Sequence, residues 1–226
     1  MKYPILGRER WRPIALSAVG TVLVFAFACV LFTLTVLAIQ PGLLPDTLAA
    51  FWEDKLLIPL NIFPVCVVLI VCYCLTGNAF SAAGIGGLIV NLLSYINLIK
   101  TDCRNDPFVP ADCALLREAA NAVGDYQLNL HWGTLAAILL LSAVCFALAY
   151  WSRARRPRWY VRSIMALVVL AVFGASMVKV YPSEDIYDRR GVGTVQASKS
   201  NVPEVFRLCG FPYCFLHNYN LYPVEK

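Results

Sequence analysis

Charge is scarce in this chain. Only 15% of its 226 residues are Asp, Glu, Lys or Arg, and three stretches, 13–45, 56–99 and 126–152, contain none of them. A soluble domain must cover its surface with polar groups, which a chain that is 59% hydrophobic does not supply. Histidine is scarcer still. His131 and His217 are the only two, and no cluster of Asp, Glu and His has the spacing of a metal site. Cys72-Tyr73-Cys74 lacks both the spacing and the second ligand pair of a zinc site. No glycine fingerprint for a dinucleotide is present either, because the glycines at 84, 86 and 87 follow no strand and are wrongly spaced.

What remains is apolar length. A hydrocarbon core of ~30 Å takes about 20 apolar residues per helix, and within it every backbone polar group must be paired in its own segment. We read five transmembrane helices, at 14–39, 57–75, 79–99, 132–151 and 160–180, and hence an all-α polytopic membrane protein. The second and third form a tight hairpin through Thr76-Gly77-Asn78, whose residues favour a turn and divide a run too long for one helix. The first span is expected to be retained, because it exceeds the ~7–15 residues of a signal-peptide core and no small-x-small cleavage site follows it. No span has an ionisable residue at its centre, which disfavours a pump or an ion channel.

Orientation is read from the basic residues, which are retained on the cytoplasmic side. Lys2, Arg8, Arg10 and Arg12 precede the first span, and Arg153, Arg155, Arg156, Arg158 and Arg162 surround the link between the fourth and fifth. These two segments hold nine basic residues against one acid, Glu9, whereas the rest of the chain holds ten against thirteen. The N-terminus is therefore expected in the cytoplasm and the C-terminus outside. No aromatic stacking surface is interleaved with the arginines, so nucleic acid is not an expected partner. Of nine cysteines, Cys103, Cys113, Cys209 and Cys214 fall in the expected outer segments, where both disulfides and free thiols stay open.

Within the third span, Ser81, Ala82, Ala83, Gly84, Gly86 and Gly87 are small enough to let a neighbouring helix approach closely. Asn91, Ser94 and Asn97 then recur at three-residue spacing and form a polar face that leads to Lys100. The outer loop that follows, 100–125, is dense in charge. Pro110 opens a stretch in which Cys113, Leu116, Ala120 and Val123 share one stripe, which predicts a short interfacial helix ending before Gly124. Two readings of its cations stand. Lys100 and Arg104 either anchor the helix end by pairing with Asp102, Asp106 or Asp112, or grip a lipid phosphate while Asp112 and Glu118 orient them or bind a polyol headgroup. His131 reads as an interface residue, and His217, among Tyr213, Tyr219 and Tyr222, as part of a packed or membrane-resting tail.

The residues Asn97, Lys100, Arg104, Pro107, Pro110 and Asp112, in the pattern N-x2-K-x3-R-x2-P-x2-P-x-D, resemble the membrane portion of lipoteichoic-acid-synthase-like phosphoglycerol transferases. The order of five spans, an outer loop after the third and an outer tail is similar to that family. So is the tail segment Val205-Phe206-Arg207-Leu208-Cys209-Gly210-Phe211, followed by Phe215 and Asn218. The resemblance implies a membrane domain, 1–180, and an irregular extracellular linker, 181–226, leading to a sulfatase-fold enzyme domain that this sequence does not include. It also implies that phosphatidylglycerol-type lipid binds near Asn97, Lys100, Arg104, Asp112 and Glu118. The threonine nucleophile and a divalent metal, commonly manganese, would belong to the enzyme domain, leaving no catalytic residue, metal ligand or cofactor here. The alternative is a stand-alone polytopic membrane protein that acts as a structural partner or small-solute carrier.

Overall fold

A computed structural model describes residues 8–40, 44–115, 130–152, 157–183 and 202–219, and these are helical with short connections. In chain order the helices are α1 (Arg8–Ile39), α2 (Leu44–Glu53), α3 (Leu57–Thr76), α4 (Ala79–Arg104), a 3₁₀ segment (Pro110–Leu115), α5 (Trp132–Trp151), α6 (Trp159–Lys179), α7 (Val202–Cys209) and α8 (Phe211–Tyr219). The helices α1, α3, α4, α5 and α6 are long and apolar enough to cross a membrane, and they coincide with the five spans expected. The protein is an all-α, multi-pass membrane protein.

The α3–α4 hairpin forms for the reasons its residues suggest. Gly77 takes φ 70°, and its N–H donates to Tyr73 O at 2.7 Å, closing α3. Asn78 caps α4 by accepting from the N–H groups of Phe80 and Ser81. At this hairpin end of the bundle Asn78 Nδ2 also donates to Ser152 Oγ at 3.1 Å, and an Arg162 nitrogen donates to Leu75 O at 3.4 Å. These contacts tie the ends of α5 and α6 to the turn.

Packing centres on α4, against which α1, α3 and α5 lie, while α6 rests on α3. Membrane helices gain little from burying apolar surface against one another and depend on close contact instead. The glycines of α4 supply that contact, each toward a different neighbour. A Cβ on Gly84 would stand 3.1 Å from the Phe146 ring on α5, and one on Gly86 would stand 2.8 Å from Leu69 Cδ2 on α3. A Cβ on Gly87 would overlap the Phe32 ring on α1. The small residues of this span therefore serve packing. By contrast α6 buries none of its residues, so its apolar surface faces outward nearly all round.

The other end of the bundle is capped, and here the structure corrects two expectations. The tail is not an irregular linker over 202–219: α7 and α8 fold back, α8 onto α3 and the 3₁₀ segment and α7 onto α2. The helix α2, which the sequence reading left as connection, is the other part of this cap. One physical cause accounts for both. Proline inside a segment argues against a helix, yet Pro45, Pro203 and Pro212 are each the second residue of a helix. In a first turn the missing N–H has no partner to lose, and the fixed φ suits the helix. Gly210, at φ 86°, turns the corner between α7 and α8, and a Cβ there would overlap the amide of Asn61.

The expected interfacial helix of the outer loop is a 3₁₀ segment where it is described. Leu116, Glu118, Ala120 and Val123 lie outside the described residues.

Substituting Gly87→Ala should force α1 away from α4, and overpacking of this kind costs about 1–3 kcal/mol. Thermal unfolding in detergent is expected at a lower temperature for this variant than for Gly20→Ala, where no atom lies within 4 Å of the added methyl.

Candidate functional site: the loop end of the bundle

The polar face of α4 does not line an open groove. It is the seam between α4 and α1. Thr35 Oγ1 donates to Asn91 Oδ1 at 2.8 Å, Ser94 Oγ donates to Val36 O at 2.9 Å, and Gln40 Nε2 donates to Ser94 Oγ at 2.8 Å. Asn97, 1% exposed, ends the seam by spending both halves of its amide. Its Nδ2 donates to Gln40 Oε1 at 2.8 Å, and its Oδ1 accepts from the backbone N–H of Phe108 at 2.7 Å. The seam thus reaches past the helix and fixes the first turn of the loop. Thr35 and Gln40 were missed in the sequence, although a Gln at the end of an apolar span was a visible signal.

One turn beyond Asn97, the Lys100 ammonium is only 14% exposed at its side chain and has three close acceptors. They are Pro107 O at 2.9 Å, Asp112 Oδ2 at 2.8 Å and Asp106 Oδ2 at 2.8 Å. An ammonium has three hydrogens, so its donors are spent within the loop. Asp112 is similarly committed: its Oδ2 also accepts from Val109 N at 2.8 Å, and its own N–H donates to Val109 O at 3.0 Å. The chain reaches these partners because Asn105 closes α4 in the left-handed region at φ 52°, which Asn tolerates better than most residues.

Of the residues expected at a lipid-headgroup site, Asn97, Lys100 and Asp112 all bind the same loop, and the structure shows them latching it. Arg104 is exposed on the last turn of α4. Glu118 lies outside the described residues. His131, at the start of α5, is paired with Asp102 of α4 through Nε2 and Oδ2 at 2.6 Å, which joins α5 to the same end.

The cap is stapled onto this end by a second amide. Asn61 of α3 is fully buried; its Nδ2 donates to Leu57 O at 2.8 Å and to Cys209 O at 2.9 Å, and its Oδ1 accepts from Tyr213 N at 3.2 Å. Tyr181, whose phenol is raised by burial and so stays protonated, donates to Leu60 O at 3.0 Å. Tyr181 O lies 2.6 Å from His217 Nδ1. A carbonyl only accepts, so Nδ1 carries the proton. Phe108 of the loop stacks on Phe215 of α8 with ring centroids 5.8 Å apart. His217 is a packed residue of the tail, one of the two settings the sequence allowed. Asn61 gave no pattern beyond being a lone amide among apolar neighbours.

Among the described residues no group of three or more His, Cys, Asp or Glu is gathered for a metal ion. The carboxylates of Asp106 and Asp112 share the Lys100 cation. All nine cysteines are free thiols, including Cys103, Cys113, Cys209 and Cys214. No protein-family model, curated protein or solved structure matches the chain.

Replacing Lys100 with Met should leave Asp112 and the Pro107 carbonyl without their cation. Breaking a buried pair costs up to about 3–5 kcal/mol, and the exposure of Asp106 reduces that to about 2. Faster hydrogen exchange is expected at Phe108 and Val109, with α3 and the hairpin turn unchanged; uniform exchange across the chain would mean global unfolding instead.

Proposed function

We propose that this chain is the membrane module of a phosphoglycerol-transferase-like protein, anchoring it and presenting a phosphatidylglycerol-type lipid at the loop end. The observation that carries this reading is the Lys100 latch, which occupies the motif positions Asn97, Lys100, Pro107, Pro110 and Asp112 and holds the loop rigidly against α8. A fixed platform on five membrane helices suits a protein that must hold a second domain at one height above its lipid substrate.

Roles within the proposed site differ by residue. Asn97, Lys100 and Asp112 shape the platform, since their polar atoms are engaged with each other and with the loop backbone. Arg104, exposed at the end of α4, presents the guanidinium suited to bidentate contact with a lipid phosphate. Transfer of glycerol phosphate would fall to a sulfatase-fold domain with its threonine and metal, outside these residues. One observation favours the alternative of a structural partner without such a domain: the latch spends the Lys100 ammonium on its own loop, on Pro107 O, Asp106 and Asp112, as a purely architectural loop would.

The two readings separate in reconstituted protein. Native mass spectrometry of the natural chain should show phosphatidylglycerol retained in preference to phosphatidylcholine. Arg104→Ala should reduce that preference several-fold without loss of helical content. Equal retention of both lipids by the natural chain would remove the headgroup role and leave the structural reading.

The proposed topology puts the N-terminus in the cytoplasm and the loop end outside. Cys113 is exposed in the 3₁₀ segment, so a membrane-impermeant maleimide added to intact cells should label it, and Cys113→Ala should abolish that labelling. Labelling of Cys113 only after permeabilisation would reverse the orientation.

A further inference from the structure

The helix α2 has two apolar faces and one of them is open. Successive residues turn by about 100°, which groups Leu44, Thr47, Ala50 and Phe51 on one side and Pro45, Leu48, Ala49 and Trp52 on another, with Asp46 and Glu53 on the edge between. The first group packs inward, where Thr47 Oγ1 donates to Arg207 O at 2.9 Å and Asp46 meets Arg207 at 3.6 Å. The second group is exposed, Trp52 to 77% of its surface. A helix at the aqueous end of a bundle has no reason to turn a continuous apolar stripe and a tryptophan toward water.

We infer that this second face of α2 lies in the interfacial layer of the bilayer, so that α2 floats the cap on the lipid surface. Continuity points to lipid as the occupant. The stripe runs on through Leu56 and Ile58, both exposed, into the outward flank of α3, which crosses the membrane. Its chemistry agrees: Trp prefers the headgroup boundary, and Lys55, with Nζ 5.9 Å from the centroid of the Trp52 ring, stands where an ammonium meets phosphates. Trp132, exposed at the start of α5, lies at this same end of the bundle and continues the aromatic belt. The inference is independent of whether the module serves a transferase or a structural role.

Trp52 reports its own surroundings. The difference in emission between the natural chain and Trp52→Phe, each reconstituted in phosphatidylcholine–phosphatidylglycerol vesicles, isolates that one ring, and equal circular dichroism confirms that both fold. Lipids brominated near the headgroup end of the acyl chain should quench the difference signal several-fold more than iodide does. Quenching mainly by iodide would place the face in water and overturn the inference. Shielding from both quenchers would place it against protein, such as a second copy of the chain, and overturn it equally.

Discussion

Hydrocarbon contains no water to complete a hydrogen bond, and this constraint organises the molecule from the backbone outward. It makes the spans helical, and it then governs the few polar side chains that those helices carry. Asn61 and Asn97 both sit near the loop end of a span, and each spends its amide on backbone outside its own helix. A group that would be costly to leave unpaired becomes the means of attaching a segment that has little core of its own. The loop is held by Asn97 and Lys100, the tail by Asn61, and the two meet where Phe108 stacks on Phe215.

The membrane half depends on a different economy. Close approach of helices rather than burial of apolar area holds it, and the three glycines of α4 divide that role among three neighbours. This leaves α6 peripheral, with contact to α3 but no buried residue. Rigidity is therefore graded: greatest along α4, where glycine contacts, the polar seam and the Lys100 latch follow one another, and least on the flank of α6.

Much of this was legible in the sequence because it is written in long apolar runs. Spans of 20 residues or more declare themselves by composition, and Thr76-Gly77-Asn78 marks their hairpin by turn chemistry. The polar face of α4 was visible at helical spacing, but its use was not, because the partners Thr35 and Gln40 lie more than fifty residues away. The cap was the least legible part. Its helices have eight to ten residues, too few for periodicity to stand out, and Pro45, Pro203 and Pro212 imitate breakers when read without knowing where a first turn begins. Lys100 and its acids were seen as neighbours in sequence, yet spacing alone does not decide between an internal latch and a lipid grip.

The bond between Asn61 and Cys209 joins residues 148 positions apart. A ribosome finishes α3 long before it makes the segment that satisfies this amide, and the three spans α4, α5 and α6 intervene. During that interval the Asn61 side chain on α3 has found one of its three partners, Leu57 O. Arrival of the tail thus acts as a late stitch on the membrane helices: it stabilises one of the first of them to be inserted. A chain without the tail would carry a mark of its own incompleteness near the loop end of its second span, where the machinery that inspects membrane proteins for exposed polar groups could read it.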